Sequence, residues 1–520
     1  MLKMKPVIFI LLTSLVFRFW FSSTHVAFGQ DVARDAYLTE QSISHGKYLA
    51  FYGPKASVGN FYLPPFYYQI HIFLSSLTNN HPLTMKWFVT LVESLTPVLI
   101  YLIAGRITNK KTAGFISLFY IFSCLPTIFG TSAWNPNTIP FLTSLMLHSL
   151  MRGVLDKKYL YISIAVTAAS IAFQFHYQAF VLLPFLLLVF IYQMSQKDWR
   201  AIKYWILGGF ISLLLISPYL YFEISHNFQN TKAIGSYFSQ EHSQYFDRVS
   251  KPAYVLKFFP VFFEKVIFDF ELPMHAVGNI VYFSGSILLL IYILKAYRQP
   301  SKNKDRALKL ANYCFLLAFF ISIAVMLRVY KGDKIEYYMS TLFLWPFILL
   351  TFMMDALRKN KKITWFIVAG LMVYSGWKLS FNTPFNQLQE TKDVFSYLEE
   401  YSPSKSVRFL FHDDDHINTI AYGLTHFSSL SSDPHSLTVI DICNWHQSCV
   451  WDTTLQSKND LAYSQVAYYK YLSGYQFLNR YTGDKPFKVV IGHVQNDLSL
   501  DTSSYLYQGE YGSDSLLKTE

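Results

Sequence analysis

The chain has 520 residues, of which 52% are hydrophobic and only 15% are charged. A typical soluble domain carries about 25% charged residues, and here the apolar residues stand in long uncharged blocks, so an array of soluble domains is excluded. Collagen-like, coiled-coil, disordered and disulfide-scaffold proteins are excluded as well. The net charge of +11 lies mainly in short loops between apolar blocks, which argues against a nucleic-acid partner. The composition predicts a polytopic α-helical membrane protein with a soluble tail.

Eleven apolar blocks approach the length of about 20 residues that a membrane-spanning helix needs. They predict about eleven transmembrane helices near residues 6–22, 85–105, 112–130, 136–151, 159–174, 179–194, 204–222, 277–294, 310–328, 339–357 and 363–380. The first block could also be a cleaved signal peptide, but Arg18 lies inside it and no small-x-small cleavage site follows. We therefore predict a transmembrane domain over 1–380 and a soluble domain over 381–520.

The distribution of Lys and Arg predicts the orientation. The proposed inner segments hold 21 Lys and Arg in 47 residues, whereas the short outer loops hold only Lys331 and Lys334. This asymmetry predicts a cytoplasmic N-terminus and an extracytoplasmic tail. No Asn-x-Ser/Thr triplet occurs, which favours a prokaryotic cytoplasmic (inner) membrane.

Two outer stretches and the tail have their own character. Residues 61–77 and 254–270 are rich in aromatic residues and poor in charge, which predicts interfacial helices. In the tail, 390–401 and 461–472 have the pattern of helices, and three apolar runs read as strands. Those runs are residues 407–411, 437–442 and 488–494. The tail is therefore predicted to be a small α/β domain.

The tail also contains two cysteines that could form a disulfide and an acidic run that could bind a metal ion. Cys443 and Cys449 are six residues apart, and an oxidising exterior favours a disulfide over two free thiols. Their spacing is unusual for zinc ligands. Residues 413–416 read Asp-Asp-Asp-His, but consecutive Asp residues after a strand more often cap a helix. We assign no metal site and no cofactor, and a requirement for a divalent cation stays open.

The segment after the first span, Gln30 to Tyr37, brings carboxylates and a guanidinium together. On a helix, Asp31, Arg34 and Asp35 share one face. One interpretation is a helix start with a local ion pair. The other is catalytic, because a sugar hydroxyl is a poor nucleophile until a positioned carboxylate takes its proton.

From this motif onward the sequence resembles the GT-C superfamily of polyprenyl-phosphate-sugar glycosyltransferases. It is most similar to the branch with the lipid A aminoarabinose transferases and protein O-mannosyltransferases. The ordered features behind the resemblance are Asp31 to Asp35, Gly53-Pro54, Pro64 to Tyr68, Trp134 to Asn137, His176-Tyr177-Gln178 and Glu336-Tyr337-Tyr338 before Pro346. They cover roughly residues 1–380.

The resemblance implies an integral membrane glycosyltransferase. Asp31 would be the base that deprotonates an acceptor hydroxyl for inverting attack at the anomeric carbon, with Arg34 and Asp35 completing the catalytic group. The donor would be a polyprenyl-phosphate-linked sugar, and the acceptor an envelope glycan, lipid or protein. The sequence departs from the aminoarabinose transferases at Tyr62 and Leu63, where those enzymes carry an acid and a Lys.

A leaving phosphate needs positive charge or hydrogen-bond donors nearby. Substrate-binding candidates on the predicted outer face are Lys55, Tyr67, His176, Arg328, Lys331, Glu336 and Tyr338. Several also have an ordinary interpretation: a solvated loop Lys for Lys55, interface anchors for Arg328 and Lys331, and a structural His for His176.

Two other function classes stay open. A transporter or flippase of lipid-linked sugars would place ionisable residues near mid-membrane and often shows inverted repeats, which this sequence lacks. A lipid-linked glycan polymerase or ligase would rely on basic residues of a large outer loop, here Lys232, Arg248 and Lys251.

Overall fold

The computed structural model describes a helical chain that divides into two compact units. The described residues are 5–56, 61–239, 252–268, 275–298, 304–329, 336–357, 361–381, 384–402, 404–411, 417–432, 438–444, 476–481 and 487–493. The first unit comprises residues 1–23, 49–74 and 83–383, and the second comprises 24–48, 75–82 and 384–520. The predicted boundary at 380/381 thus falls close to the second unit's last segment. The predicted soluble domain over 381–520 does not include the segments 24–48 and 75–82, which belong to the same unit.

The first unit is built from apolar helices. In chain order they are α1 Lys5–Thr24, α3 Phe66–Leu77, α4 Thr84–Glu93, α5 Thr96–Ile107, α6 Lys110–Ile121, α7 Cys124–Phe129, α8 Ile139–Leu150, α9 Leu160–Phe175, α10 Leu183–Ser195, α11 Ile202–Ser225, α12 Gln229–Ser239, α13 Pro252–Phe268, α14 Ala276–Asn279, α15 Gly285–Arg298, α16 Lys304–Val329, α17 Trp345–Ala356 and α18 Lys361–Phe381. α3 runs on into the second unit's segment 75–82.

Eight helical segments of the described residues are long and apolar enough to cross a membrane, which confirms the polytopic helical class. They are Lys5–Thr24, Thr84–Ile107, Asn135–Leu155, Tyr177–Ser195, Trp199–Ser225, Ala276–Arg298, Arg306–Met326 and Met339–Ala356. Leu160–Phe175 is a shorter apolar helix. Helices also occupy the predicted third and eleventh spans, and the count of eleven spans stays a prediction.

Several spans begin with a tighter turn before the α-helix. The 3-10 turns Asn135–Thr138, Tyr177–Leu182 and Glu336–Leu342 precede α8, α10 and α17. A Pro lies in the first turn of each following helix, where its missing N–H costs nothing. Each of these three irregular segments therefore lies at the start of a span, directly before a Pro-containing first helical turn. The segment Glu336–Leu342 packs against both of the others.

The helices of the first unit pack closely where small residues allow it. α9 lies against both α8 and α11. A side chain at Gly208 of α11 would put its Cβ 3.0 Å from the Cα of Ser163 and 2.8 Å from the Cβ of Val166 on α9. Without a Cβ at Gly208 the two backbones approach, as small residues allow between membrane helices.

The second unit combines an early helix with the tail. Its helices are α2 Gln30–Ser44, α19 Gln387–Tyr401 and α20 Ile417–Phe427. The main sheet has the order β4 Ser431–Ser432, β3 Ser406–Phe411, β5 Thr438–Asn444, β7 Phe487–His493 and β6 Gln476–Tyr481. β3 runs parallel to β4 and β5, while β7 is antiparallel to β5 and β6. The three predicted tail strands coincide with β3, β5 and β7 within two residues.

A second, very short sheet lies in the same unit. β1, His25–Val26, pairs in parallel with β2, Phe385–Asn386. This pairing joins the chain just before α2 to the chain just before α19. Three predictions from the tail, the helix over 461–472, the acidic run 413–416 and the Cys449 half of the disulfide, lie outside the described residues.

Candidate functional site

The acidic motif lies in the first turns of α2. Gly29 precedes the helix in an extended conformation, and Asp31 stands in the first turn. A carboxylate there is favoured by the partial positive charge of the helix N-terminus. Ala33 and Ala36 are buried on the opposite side of this turn from Asp31. Ala33 and Ala36 thus pack one side of the first turns of α2, while the Asp31 side chain stays partly exposed.

Arg34 connects the two carboxylates of the motif. Its Nη1 donates to Asp31 Oδ1 at 2.8 Å, and its Nε donates to Asp35 Oδ1 at 2.9 Å. Its Nη2 lies 2.8 Å from the same Asp35 oxygen. The predicted i, i+3 and i, i+4 arrangement is therefore present, and one guanidinium holds both acids.

The three side chains differ sharply in exposure. The Asp31 side chain is 41% exposed, that of Arg34 is 13% exposed and that of Asp35 is 1% exposed. Asp35 therefore anchors Arg34 from inside, and Arg34 in turn limits the rotamers of Asp31. The result is a pre-oriented carboxylate open to solvent, which is the requirement for a general base that meets an outside hydroxyl.

In the first unit, Lys55 lies on a short paired segment. It pairs antiparallel with Tyr62, and the Leu63 N–H donates to Pro54 O at 2.9 Å. The Lys55 side chain is exposed. This pairing carries the chain into Pro64-Pro65 and α3, so Lys55 is a solvent-accessible cation on an ordered segment.

Tyr67 lies in a buried aromatic cluster. It is 1% exposed, and its ring centroid is 5.8 Å from that of Phe175 and 5.7 Å from that of Tyr68. His71, one turn further along α3, lies 6.1 Å from Tyr67 and is also buried. Burial lowers the pKa of His71 to about 3, so the imidazole is neutral at pH 7. These contacts give Tyr67 a packing role, and its role toward a substrate stays a prediction.

His176 links α9 to the following 3-10 turn. Its Nδ1 accepts the N–H of Gln178 at 3.2 Å and so caps that turn. Burial lowers its pKa to about 4. The imidazole is neutral at pH 7, so it carries no positive charge. The sequence could not show this, because it follows from burial.

The three 3-10 turns bring polar side chains together. Asn135 donates its amide N–H to Phe175 O at 2.7 Å, and Gln178 Nε2 donates to Ser340 Oγ at 2.9 Å. Among the described residues, both amide atoms of Gln174, Gln178 Oε1 and Thr341 Oγ1 are buried without a hydrogen-bond partner. Gln174 is not among the residues predicted from the sequence, although a Gln inside an otherwise apolar helix is typical of a polar site between helices.

The remaining predicted residues are placed as follows. Arg328 lies in the last turn of α16, and Glu336 and Tyr338 lie in the 3-10 turn before α17. Lys331 lies outside the described residues. Cys443 lies in β5. Among the described residues, no group of three or more His, Cys, Asp or Glu side chains is arranged to hold a metal ion. The second unit therefore carries Asp31, Arg34 and Asp35, and the first carries the described substrate-binding candidates.

Part of the chain matches a known protein family. Residues 63–222 match the family described as dolichyl-phosphate-mannose-protein mannosyltransferase. This segment begins at Leu63, just before Pro64-Pro65, and ends near the end of α11. A search of curated protein sequences gave no match.

Comparison with solved structures shows the fold. An oligosaccharyltransferase from Archaeoglobus fulgidus, in complex with Zn and sulfate, is 12% identical with a TM-score of 0.54. The match covers 82% of this chain and 62% of that one. The oligosaccharyltransferase AglB from the same organism, with an inhibitory peptide and a dolichol-phosphate, is 11% identical with a TM-score of 0.51, covering 82% and 64%. ArnT from Cupriavidus metallidurans, bound to undecaprenyl phosphate, is 13% identical with a TM-score of 0.49, covering 96% and 99%. The two oligosaccharyltransferase matches confirm the predicted resemblance at the level of the fold alone.

Proposed function

We propose that this chain, whose fold is that of the GT-C glycosyltransferases, transfers a sugar from a polyprenyl-phosphate carrier to an acceptor hydroxyl outside the cytoplasm. The observation that carries the proposal is the graded burial of the acidic motif. Asp35 is buried, Arg34 is nearly buried, and Asp31 alone presents its carboxylate to solvent. An ion pair that served only the helix would not need a buried acid beneath an exposed one.

The reaction is an inverting substitution at the anomeric carbon. Asp31 takes the proton of the acceptor hydroxyl, and the acceptor oxygen forms the new glycosidic bond. The bond between the anomeric carbon and the phosphate oxygen breaks, and polyprenyl phosphate leaves with that electron pair. Arg34 keeps Asp31 in the rotamer that meets the acceptor. Proton removal by Asp31 serves a hydroxyl of a glycan, a lipid or a protein alike.

The leaving phosphate acquires negative charge as the bond breaks, and cations stabilise it. Lys55, Arg328 and Lys331 are the candidates for this role. Lys55 is exposed on an ordered segment. The neutral His176 would contribute only a hydrogen bond. The family description and the dolichol-phosphate in the archaeal relative's structure support a lipid-phosphate donor.

The test compares the wild type with Asp31→Asn in detergent. Both are given polyprenyl-phosphate sugars and an envelope fraction as acceptor, and free polyprenyl phosphate and labelled product are measured. We expect Asp31→Asn to lose activity by ~10²–10⁴-fold, the usual contribution of a general base. Asp393→Asn is the matched control, since Asp393 is an exposed carboxylate on α19 of the same unit.

The alternatives have distinct outcomes. Equal release of polyprenyl phosphate by the wild type and Asp31→Asn would remove Asp31 from the mechanism. Sensitivity to Lys232→Gln would then favour the polymerase or ligase class. Movement of a lipid-linked sugar across liposomes without release of its phosphate would favour the flippase class.

A further inference from the structure

The helix that carries the acidic motif is held at its N-terminal end by the tail. Before α2, His25 and Val26 pair with Phe385 and Asn386. Two residues later the backbone N–H of Phe28 donates to Gln387 Oε1 at 2.7 Å. The Phe28 side chain is fully buried. The start of α2 is therefore fixed to the start of α19.

The opposite end of α2 is held by a different element of the tail. Glu40 lies in the third turn of α2, and its carboxylate bonds His426 Nε2 in the last turn of α20. Nδ1 of His426 donates to Tyr422 O at 2.8 Å, which leaves Nε2–H facing Glu40 when the imidazole is protonated. The Tyr422 ring stacks on the His426 ring at 3.9 Å with an interplanar angle of 10°. His426 is thus fixed in its rotamer by its own helix.

The two attachments share one residue. The Tyr422 ring also contacts the Phe28 ring edge-on, with centroids 5.0 Å apart. Phe28, Tyr422, His426 and Glu40 therefore form a continuous chain of contacts from the entry of α2 to its third turn. Asp31, Arg34 and Asp35 lie on α2 between these attachments.

We propose that His426 is a positioning residue, which fixes the orientation of α2 through Glu40 and thereby aims the Asp31 carboxylate. The tail thus holds α2, and with it the acidic motif, in one orientation, which we call the mounting of α2. The consequence for catalysis rests on the proposed function, while the mounting itself does not. Glu40 lies five residues beyond Asp35 on α2, so the influence of the His426 contact passes along the backbone of α2.

The electrostatics of the contact agree with this role. Burial alone would lower the pKa of His426, but the hydrogen bonds to Glu40 and to the Tyr422 carbonyl raise it above its ordinary value. Glu40 of α2 and Tyr422 of α20 lie against the imidazole, while Lys392 of α19 lies over the neighbouring Phe427 ring. A charged imidazole against a carboxylate makes a stronger hydrogen bond than a neutral pair.

Hydrogen–deuterium exchange on the full-length protein tests the mounting. We expect His426→Ala and Glu40→Ala each to accelerate exchange of the amides of residues 30–44. The double variant should be no faster than the faster single one, because both remove the same contact. His426→Gln keeps a donor near Glu40 and should restore slow exchange. Asp393→Asn, on an exposed carboxylate of α19, is the control.

Turnover measured on the same variants tests the consequence. A misplaced base should lower kcat by roughly 10–100-fold in His426→Ala while the donor KM changes little. Unchanged exchange over 30–44 in Glu40→Ala, with β3 still protected, would overturn the mounting; Glu40→Ala leaves the tail's own residues intact, so misfolding of the tail cannot mask that result. Faster exchange over 30–44 in His426→Ala and Glu40→Ala, together with a wild type that has no transferase activity, would instead keep the positioning role and reject the proposed function.

Discussion

Gln387 accepts the backbone N–H of Phe28 at 2.7 Å, although 359 positions separate the two residues. With the β1–β2 pairing beside it, this bond fixes the entry of α2 to the tail. The acidic motif therefore belongs to the same compact unit as the α/β tail, and its stability and activity should respond to changes there.

Arg34 should matter for stability as well as for activity. Arg34→Gln leaves the 1% exposed Asp35 without its guanidinium, and breaking such a buried pair costs about 3–5 kcal/mol. Arg34→Lys should retain most of the stability, but it loses the fork that contacts both acids and so should lower activity. Thermal unfolding in detergent and turnover measure the two effects. A stable and inactive Arg34→Gln protein would show that Asp35 does not need its partner.

Gly53 should not tolerate a side chain. A Cβ at this position would lie 2.4 Å from Pro64 O, while the Gly53 N–H donates to Leu63 O at 2.7 Å. Gly53→Ala must therefore push the two backbone segments apart and disturb the entry to α3. Gly105→Ala is the matched control, because its Cβ would lie 4.0 Å from the nearest atom and Ala favours the helix.

The unfolding temperature and the activity are measured for Gly53→Ala, Gly105→Ala and the wild type. We expect Gly53→Ala to lower both and Gly105→Ala to leave activity unchanged with equal or higher stability. Equal behaviour of the two variants would mean that the segment before α3 adapts freely to an added methyl group.

Asp156 should make stability depend on pH in the acid range. Hydrogen bonds from Arg106 at 2.7 and 2.9 Å, with Arg152 adding a third at 2.7 Å, hold the pKa of Asp156 below its ordinary 3.8. A depressed folded-state pKa contributes stability above the unfolded value, and that contribution is lost as the pH falls toward the folded value.

The measurement compares the wild type with Asp156→Asn at several pH values. The stability difference should be constant from about pH 8 to pH 5 and should shrink below about pH 4. Asp393→Asn should show little difference at any pH, since its carboxylate is exposed. A difference that grew on acidification would show that the Arg106 contact does not favour the ionised form.

His176 should act without charge. Because the pKa of His176 is lowered to about 4, its imidazole does not titrate between pH 5.5 and 8, and this residue should not make donor affinity depend on pH in that range. His176→Asn can still accept the Gln178 N–H and should keep the 3-10 turn and most of the donor affinity. Lys55→Gln should weaken donor binding more. Binding of a polyprenyl phosphate to each variant measures this, and a stronger loss in His176→Asn would make the imidazole a direct ligand.

The periodic features of the sequence predicted the helices well. The apolar blocks coincide with helices, and the spacing of Asp31, Arg34 and Asp35 predicted the ion-paired face that the structure shows. Such features are local, because three or four residues decide which side chains meet on a helix.

Long-range features could not be predicted in the same way. The two-residue strands β1 and β2 have no periodicity, and the Glu40–His426 contact joins positions 386 apart. The burial of Tyr67 and the neutral state of His176 depend on helices from distant parts of the chain. The sequence indicated Tyr67 and His176 as candidate site residues, but it could not show that they are buried.

The β1–β2 pairing also has a consequence for biosynthesis. The segment with Asp31 leaves the ribosome early, but its pairing partner is made only after the helices of the first unit. α2 can take its final place only when residues 385–427 have been translated and delivered to the same side of the membrane. A nascent or prematurely terminated chain therefore inserts its helices without the β1–β2 pairing that fixes the entry of α2.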